Sequence, residues 1–431
     1  MRSFWKILYT ALVIPLLWII LHLLGLVLPK VRRGIAGRVT LFEDLERGVN
    51  NLKPGPRVWF HASSLGEFEQ AKPIISELKR RRPDMQIVAS FFSPSGYDHS
   101  RKYHLADVIT YLPFDTPGNA GKFLDLVRPT VAVMVRYDVW PNIIWELQSR
   151  SIPTMVANAT MRATSPRLLP VVRNFHHYLY GTIGDILTVS EEDVRSFREF
   201  GLNGSTLEAI GDTRYDQVCA RSTEARKRHL LPDSVVRGKK VIVIGSSWPE
   251  DEEVVVPAFL EIRKQLPNLL LVVVPHEPTL EHLEDLERRF NGTNATLRFS
   301  ALNEYAGEKV IIVDSIGILL VLYASAHIAY VGGSFRQGVH NVLEAAVYGI
   351  PVLFGPRHKN SQEPAGLVEA GGAFVINDAR QLAASLTRLL TDEGARRKAG
   401  ECAAGFVQRN TGATERVLEH IEPYLTGGHQ A

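Results

Sequence analysis

The most marked pattern in the chain is an apolar run near its start. Ile7 to Leu28 is apolar and is interrupted only by Tyr9, Thr10, Pro15, His22 and Gly25. At the rise of an α-helix this run spans roughly 30 Å, the thickness of a bilayer's hydrocarbon core. It is longer than the apolar part of a signal peptide, and the small residues that follow, Gly34 and Ala36, lie behind a basic cluster. Cleavage is therefore not expected.

The charges that flank this run predict its orientation. Four cations lie between residues 30 and 38, whereas only Arg2 and Lys6 precede the run. Because cytoplasmic flanks are enriched in Lys and Arg, we expect residues 1–30 to form a membrane anchor helix with the body in the cytoplasm. A helix that lies along the membrane surface is the alternative.

After about residue 55 the chain alternates short apolar runs, rich in β-branched residues, with amphipathic helical stretches such as Glu67 to Arg81 and Pro141 to Gln148. The strand-like runs in the first half are at residues 58–60, 87–90, 131–134 and 155–157. Continuous apolar strands that alternate with helices indicate a parallel sheet covered on both faces.

The alternation weakens between residues 216 and 239 and then begins again. The second set of strand-like runs is at residues 241–245, 269–274, 311–313, 328–331 and 352–354. We therefore predict an α/β chain with two doubly wound, Rossmann-like domains, at residues 31–220 and 239–431, joined by a linker at 221–238. Ligands of such sheets bind beyond the carboxyl ends of the strands, so the residues after each strand are the candidate site residues.

Composition narrows the class of protein. Apolar residues make up 45% and charged residues 22%, which is typical of a globular protein. The net charge of +3 and the lack of a long basic stripe argue against a nucleic-acid partner. Cys219 and Cys402 lie far apart, which predicts neither a disulfide framework nor a zinc site and indicates a reducing compartment.

The loop after the first strand contains Ser64, Gly66 and Glu67. The spacing of Ser64 and Glu67 is typical of a capping box at a helix N-terminus, and Gly66 is expected to relieve crowding in that turn. The Glu67 carboxylate would also face the ligand crevice, where it is a candidate base for an acceptor hydroxyl. A base needs a raised pKa, whereas a helix N-terminus lowers the pKa, so the catalytic interpretation requires burial. Both interpretations stand at this point.

A later strand ends in Arg136, Tyr137 and Asp138, and Pro141 suits the first turn of the helix that follows. Arg136 and Asp138 have two interpretations. Either the two side chains pair with each other, or Arg136 binds an anionic group of a substrate.

Three loops in the second half place small residues before a helix. Free amides at a helix N-terminus form an anion site, which makes these loops candidate binding sites for a phosphate. Their candidate residues are Ser246, Ser247, Ile316, Gly317, Gly333 and Ser334. Asn341 and Glu344 follow, and we expect them one turn apart on a single helix, with Glu344 accepting hydrogen bonds from a ribose. A dinucleotide fingerprint is absent from this context.

Taken together, these segments resemble the transferases of 3-deoxy-D-manno-octulosonic acid (Kdo), which act on lipid A precursors in Gram-negative bacteria. The resemblance runs from the N-terminal anchor to about residue 410. The motifs that carry it are His61-Ala62-Ser63-Ser64-Leu65-Gly66-Glu67, Tyr111-Leu112-Pro113-Phe114-Asp115, Trp140-Pro141-Asn142, Gly211-Asp212-Thr213-Arg214-Tyr215-Asp216, Asp314-Ser315-Ile316-Gly317, Gly332-Gly333-Ser334 and His340-Asn341-Val342-Leu343-Glu344.

The resemblance implies a GT-B glycosyltransferase fold, with an acceptor domain first, a nucleotide-sugar domain second and a last helix, near Thr414 to Leu425, that returns to the first domain. It also implies CMP-Kdo as donor, a lipid A precursor such as lipid IVA as acceptor, and inversion without a metal or another cofactor. The resemblance further implies that the reaction takes place at the cytoplasmic face of the cell inner membrane, as a step of lipopolysaccharide biosynthesis. Glu67 would be the general base, Ser64, Gly66, Arg136 and Asp138 would lie nearby, and the loops of the second half would bind CMP.

The chain departs from the family pattern in two places. Many members carry Glu-Thr-Glu where this chain has Arg136-Tyr137-Asp138, and Arg-His-Pro-Glu where it has Pro275-His276-Glu277-Pro278. The first change reverses a charge, and the second removes a cation from the expected donor site. Two alternative functions remain: a GT-B transferase or epimerase that uses a UDP-sugar, and a membrane-tethered protein that binds a nucleotide sugar without catalysis.

Overall fold

The structure is a computed structural model that describes residues 2–290, 296–359 and 361–426. The described residues form two compact units. The first contains the chain up to Gln217 together with the segment that starts at Thr411, and the second runs from Val218 to Asn410.

The first unit is built on a sheet of seven strands that all run parallel, in the order β3-β2-β1-β4-β5-β6-β7. The strands are β1 (Arg57–Ala62), β2 (Gln86–Phe91), β3 (Val108–Tyr111), β4 (Val131–Val135), β5 (Thr154–Ala159), β6 (Asp185–Thr188) and β7 (Thr206–Ala209). The strand order reverses between β1 and β4, so the loops after these two strands flank the switch point where doubly wound sheets bind ligands.

Helices cover both faces of this sheet, and apolar clusters fill the space between each face and its helices. The helices are α1 (Arg2–Leu8), α2 (Ile14–Val27), α3 (Pro29–Ala36), α4 (Leu41–Asn50), α5 (Leu65–Arg81), α6 (Pro94–Ser100), α7 (Pro117–Val127), α8 (Pro141–Ser149), α9 (Pro170–Tyr180), α10 (Glu191–Arg198) and α11 (Thr213–Ala225), with a short 3₁₀ turn at Pro166–Leu168. The predicted strands and the helices that begin at Leu65 and Pro141 are confirmed.

A π-helical turn, Tyr9–Val13, joins α1 to α2, so the apolar run forms one continuous helix. Ser3–Val27 is long and apolar enough to cross a membrane by length and composition alone. A charged residue, Lys6, lies near the start of this stretch in α1. Pro29, two residues after its end, starts α3.

The second unit contains a second sheet of seven parallel strands, in the order β10-β11-β9-β8-β12-β13-β14. The strands are β8 (Lys240–Ser247), β9 (Leu269–Pro275), β10 (Thr296–Arg298), β11 (Val310–Ile312), β12 (Ile328–Val331), β13 (Val352–Phe354) and β14 (Ala373–Val375). The helices are α12 (Asp233–Val236), α13 (Pro249–Ile262), α14 (Leu280–Phe290), α15 (Leu319–Tyr323), α16 (Leu343–Ala346), α17 (Gln362–Glu369), α18 (Ala379–Thr391) and α19 (Glu393–Arg409), with a 3₁₀ segment at Phe299–Glu304. Here the order reverses between β8 and β12.

The last helix, α20 (Ala413–Thr426), belongs to the first unit. The Asp216 carboxylate accepts hydrogen bonds from the Gly412 and Thr414 amides, at 2.6 and 2.7 Å, and so holds the start of the helix. Farther along, Glu415 and Glu422 form ion pairs with Arg81 of α5. The Gly211–Asp216 motif therefore has a structural use in this chain. The predicted linker, 221–238, contains the end of α11 and the short α12.

Candidate active site

Glu67 lies in the first turn of α5, directly beyond the carboxyl end of β1. The capping box is present: the Ser64 hydroxyl accepts from the Glu67 amide, and a Glu67 carboxylate oxygen accepts from the Ser64 amide at 3.0 Å. The side chain is buried, with 5% of its surface exposed. Burial raises the pKa of Glu67 and the nearby Asp138 carboxylate raises it further, while hydrogen bonds from the Ser64 and Ser63 backbone oppose the rise without cancelling it. One residue thus has both the capping geometry and the raised pKa that a base requires.

Gly66, next to Glu67, has open space around it. The prediction that Gly66 relieves crowding is wrong, because a Cβ at Gly66 would meet no heavy atom within 4 Å. The φ angle of Gly66 is not positive either, so no backbone conformation requires glycine here.

Asp138 follows β4, the strand paired with β1, and its carboxylate points to His61 at the end of β1. His61 Nε2 and Asp138 Oδ2 are 2.8 Å apart, and Trp140 Nε1 donates to the same oxygen at 3.2 Å. Burial alone would raise the pKa of Asp138, but the hydrogen bonds from His61, Trp140 and Ser63 lower it below its usual value. Asp138 is therefore held ionised. Because an ionised carboxylate only accepts, Nε2 of His61 carries a proton.

This arrangement decides between the two interpretations of Arg136 and Asp138. Asp138 pairs with His61, and no ion pair joins it to Arg136. Arg136 has a positive φ of 72°, and its guanidinium lies over the Tyr137 ring, 5.4 Å from the centroid. Its Nε is buried without a hydrogen-bond partner. Arg136 thus places a cation beside Tyr137, beyond the end of β4.

Two of the sequence motifs, those that contain Asp115 and Asn142, stabilise the structure around this site. Asp115 is fully buried, and its carboxylate accepts from the Asn142 and Ile143 amides at 3.0 and 2.9 Å, which caps α8. The Tyr9 hydroxyl of the N-terminal helix donates to the same carboxylate at 2.9 Å, and Thr10 donates to the Asn142 side chain at 2.9 Å. Burial raises the pKa of Asp115 to about 7. Asp115 and His61 had no predicted role, although both belong to the motifs that carry the family resemblance.

In the second unit, a buried carboxylate joins the two loops at the switch point. Asp251, in the first turn of α13, accepts from the Trp248 amide at 3.1 Å and from the Gly333 amide at 2.8 Å, and the Tyr330 hydroxyl donates to its other oxygen at 3.0 Å. The loop after β8 is thereby fixed to the loop after β12. Sequence reasoning missed Asp251, whose signal is an acidic residue in the first turn after a Trp-Pro pair.

Ser246, at the end of β8, and Gly333, in the loop after β12, are both predicted donor-site residues and have left-handed backbones, at φ 53° and 93°. Gly333 has no room for a side chain, because a Cβ would lie 2.5 Å from the Gly338 carbonyl oxygen. The hydroxyls of Ser247 and Ser334 have partners inside the protein. Ser247 donates to the buried Glu252 at 2.8 Å, and Ser334 accepts from the Gly355 amide at 2.5 Å. These two serines therefore fix the loops through their hydroxyls.

An aromatic stack stands at the same edge of the second sheet. The His276 ring is parallel to the Trp248 and His340 rings, with centroids 4.6 and 4.5 Å apart, and Trp248 Nε1 donates to His340 Nε2 at 2.9 Å. The Arg336 guanidinium lies 4.2 Å from the Trp248 ring centroid. Burial lowers the pKa of His340 to about 4, so its ring is neutral and accepts from the indole. The segment Pro275–Pro278, which departs from the family pattern, thus still supplies a histidine, His276, to the stack. Arg336 places a cation beside the stack.

Asn341 and Glu344 do not share a helix, contrary to the prediction. The helix α16 begins at Leu343, and the Asn341 side chain accepts from the Leu343 amide at 3.2 Å, which holds Asn341 in the turn before the helix. Glu344 forms an ion pair with Arg221 at 3.2 Å.

Ile316 and Gly317 lie in the loop after β11. Ile316 is 84% exposed, and Gly317 has a φ of 82°. In the sheet, β9 separates β11 from β8.

Asp314 of that loop accepts from the Ser300 amide, at 3.1 Å. Within each unit the structure therefore brings some predicted residues together, Ser64, Glu67 and Asp138 in the first and Ser246, Ser247 and Gly333 in the second. Among the residues that the structure describes, no group of three or more His, Cys, Asp or Glu side chains is arranged to hold a metal ion.

Known proteins resemble this chain in sequence and in fold. The sequence profile described as 3-deoxy-D-manno-octulosonic-acid transferase (kdotransferase) matches residues 35–217, which include every strand of the first sheet. The 3-deoxy-D-manno-octulosonic acid transferase of Haemophilus influenzae is 27% identical over 437 residues, covering 98% of this chain and 99% of that protein. The transferase of the same description from Aquifex aeolicus is 29% identical over 358 residues, covering 81% of this chain and 91% of that protein.

Among solved structures, the UDP-GlcNAc 2-epimerase of Neisseria meningitidis superposes with a TM-score of 0.61 at 15% identity, over 85% of this chain and 100% of the epimerase. This likeness concerns the fold, and it confirms the expected GT-B class of two doubly wound units. The full-length similarity to the sequence relatives identifies the chain as a glycosyltransferase. Over nearly its whole length the chain is similar to 3-deoxy-D-manno-octulosonic acid transferases.

Proposed function

We propose that this protein transfers Kdo from CMP-Kdo to a lipid A precursor such as lipid IVA, with inversion and without a bound metal, in lipopolysaccharide biosynthesis. The observation that carries the proposal is Glu67, a buried carboxyl of raised pKa at the switch point of the first sheet. A carboxylate of this kind accepts a proton at a pH near its working pH, as general-base catalysis requires.

In the proposed reaction Glu67 takes the proton of an acceptor hydroxyl while that oxygen attacks the anomeric carbon of Kdo. The bond between this carbon and the CMP phosphate oxygen breaks, and CMP leaves with the electron pair. His61 and Trp140 hold Asp138 ionised, and the Asp138 charge keeps the pKa of Glu67 raised. In the second unit, the amides of the loops after β8 and β12 are the groups that would stabilise the charge on the phosphate.

The loops of the second unit suit this role because their conformation is set before a ligand arrives. Asp251 ties the two loops together, and the left-handed backbone of Gly333 is held by its hydrogen bond to Asp251 and by close packing. The stack of Trp248, His276 and His340 offers an aromatic surface next to them, with Arg336 as a cation. Groups held in place in this way stabilise a developing charge without reorganising.

We further propose that the N-terminal helix lies along the cytoplasmic face of the inner membrane, which is the monotopic alternative. Contacts with the first unit occur along the whole helix. Tyr9 reaches Asp115 near one end, while Trp18 and His22 line a cavity with Phe92 farther along, and Gly25 packs against α3. The π turn keeps these contacts on one face, because it shifts Ile14 to the buried side five residues after Tyr9.

The opposite face of this helix is apolar and exposed, as expected for a helix embedded in one leaflet. Its exposed side chains are Leu12, Leu16, Ile19, Ile20, Leu23, Leu26 and Val27. The exposed cations Lys30, Arg32 and Arg33 of α3 follow directly, at the level where anionic headgroups would lie.

The test of the reaction is mass spectrometry of lipid IVA after incubation with metal-free CMP-Kdo in EDTA. A mass increase of one or more Kdo units supports the donor, the acceptor and metal independence together. Thermal unfolding with CMP or UDP provides the second measurement, since a ligand that binds the folded state raises Tm. Stabilisation by UDP and not by CMP would favour a UDP-sugar enzyme instead. A folded protein that binds CMP and forms no product would contradict the proposed reaction.

A further inference from the structure

A cavity of about 410 Å³ lies between the N-terminal helix and the first sheet. Its walls come from α2, from α3 with the turn after it, from the first turns of α4, α6 and α7, and from the loops that follow β2 and β3. The lining is mostly apolar and includes Trp18, Leu21, Val31, Ile35 and Phe114. Such a lining suits a hydrocarbon ligand, because each buried methylene adds to affinity.

Arg38 holds the base of this cavity in shape. Its guanidinium donates to three carbonyl oxygens, those of Gly34, Phe92 and Leu112, at 2.7 to 2.8 Å, and lies over the rings of Phe92 and Tyr111. The cation therefore serves to join α3 to the loops after β2 and β3. The cavity is thus a built feature of the first unit, and its one exposed cation at the lining is Lys30 of α3.

The loop after β2 is shared by the cavity and the candidate active site. Phe92 lines the cavity and stacks on Trp140 with 4.5 Å between the ring centroids, and Trp140 donates to Asp138. Ser93 also lines the cavity, and its amide donates to the Ser63 carbonyl oxygen at 2.8 Å, in the loop that leads to Glu67. Two side chains in contact, Phe92 and Trp140, therefore connect the cavity wall to Asp138.

We infer that this cavity binds an acyl chain of the lipid acceptor and so positions the acceptor hydroxyl for Glu67. The inference rests on the proposed function, since it requires an acylated acceptor. The apolar lining and Lys30 suit an acylated molecule with an anionic headgroup. The acceptor is favoured over a bilayer lipid because the loop that forms the cavity wall also contacts the loop that leads to Glu67.

The test fills the cavity and compares two acceptors, in mixed micelles of fixed surface composition. Val31→Trp places a bulky ring into the lining, and Val39→Trp does the same at the mouth, where Val39 is 80% exposed and tolerates a change without loss of packing. The matched control is Ala36→Trp, on an exposed position of α3 that does not line the cavity. KM and kcat are measured with the acylated acceptor and with the same acceptor after removal of its acyl chains.

We expect both cavity variants to raise KM for the acylated acceptor by about tenfold or more, with little change in kcat, because several methylenes lose their burial. KM for the deacylated acceptor should be unchanged, and Ala36→Trp should behave as the unmodified protein. An unchanged KM in both cavity variants would overturn the inference and leave the proposed function intact. Equal losses with both acceptors, or an equal effect of Ala36→Trp, would also overturn it. Failure of the unmodified protein to use either acceptor would instead refute the proposed function.

Discussion

His61 and Asp138 are 77 residues apart in the chain, and a 2.8 Å contact between Nε2 and Oδ2 joins them across β1 and β4. These are the two strands between which the order of the first sheet reverses. The contact keeps a negative charge at the switch point, beside the carboxyl of Glu67. The catalytic proposal therefore depends on two carboxyls in different environments, one held ionised by hydrogen bonds and the other with a raised pKa.

The first prediction concerns the base itself. Glu67→Gln keeps the capping box, because glutamine also accepts from the Ser64 amide, but it cannot take a proton. We expect kcat to fall by about two to four orders of magnitude while Tm changes little. Transfer assays and thermal unfolding of the same preparation check this. Near-normal transfer by a folded Glu67→Gln protein would exclude Glu67 as the base.

The pH dependence of transfer tests the influence of Asp138. A base acts when ionised, so kcat/KM should rise with pH through the pKa of Glu67, and the acid limb should lie above the ordinary range of glutamate. Asp138→Asn removes the charge that raises this pKa, so the acid limb should move to lower pH. Glu69→Gln is the control, because Glu69 is on the same helix and pairs with Lys72. An acid limb that stays in place or moves upward in Asp138→Asn would contradict the argument.

The buried hydrogen bond between Tyr9 and Asp115 should stabilise the first unit. Tyr9→Phe removes a donor from a buried carboxyl, at a cost of about 1–3 kcal/mol in the free energy of unfolding. Because the folded pKa of Asp115 is raised to about 7, stability falls as the pH rises from the ordinary pKa of aspartate towards that value.

Loss of the Tyr9 hydroxyl raises the pKa of Asp115 further, since this hydrogen bond lowers it. The penalty should therefore be larger above pH 7, where the carboxyl must ionise, than below it. Denaturation in detergent on both sides of that pH measures the difference. Tyr103→Phe is the control, because its hydroxyl makes a long bond of 3.4 Å to a neutral carbonyl. Equal penalties for the two variants would argue against a special role of Tyr9.

Two glycines give opposite expectations for the same substitution. Gly66→Ala should leave the free energy of unfolding unchanged or raise it by up to about 1 kcal/mol, because space is open and alanine favours a helix. Gly333→Ala should lower it by at least about 1–2 kcal/mol, since φ is 93° and the Gly338 carbonyl oxygen is too close. Gly333→Ala should also weaken stabilisation by CMP. The measurement is Tm with and without nucleotide, and equal Tm values for the two variants would be the contrary result.

Membrane topology is tested by labelling a cysteine at Ser3 in a protein whose Cys219 and Cys402 are replaced by alanine. Ser3 is exposed at the start of the helix. If the helix lies along the membrane, a membrane-impermeant thiol reagent should label this cysteine only from the cytoplasmic side. A cysteine introduced at Lys30 is the matched control, because it should be cytoplasmic for either topology. Labelling at position 3 from the opposite side would show a spanning helix.

Several elements could be predicted from the sequence because their signals are local. The buried strands β1, β2, β4, β8, β9 and β12 are continuous apolar runs, and the helices that begin at Leu65 and Pro141 have a capping box and a proline at the first turn. Strands at the edges of the sheets have a weaker hydrophobic pattern in the sequence. In β7, Thr206 and Glu208 are exposed, and β10 and β14 have three residues each.

The contacts that shape the site join residues far apart in the chain, and no spacing rule predicts them. The sequence left open whether Asp138 pairs with Arg136, two residues away. The structure pairs Asp138 with His61, and the Arg136 guanidinium lies over the Tyr137 ring instead. Asn341 and Glu344 have helical spacing, but the Asn341 side chain accepts from the Leu343 amide, and the helix begins only at Leu343. Local hydrogen bonds from asparagine compete with helix formation in this way.

The sequence by itself determined the alternation of strands and helices, the apolar N-terminal helix, and Glu67 as a capping residue and candidate base. Each of these follows from the periodicity of side chains along a few turns of chain. Only the tertiary structure decided that Glu67 is buried next to Asp138, that Tyr9 reaches Asp115, and that a cavity lies under the N-terminal helix. Burial and through-space charge depend on which elements pack together, and packing is a property of the whole fold.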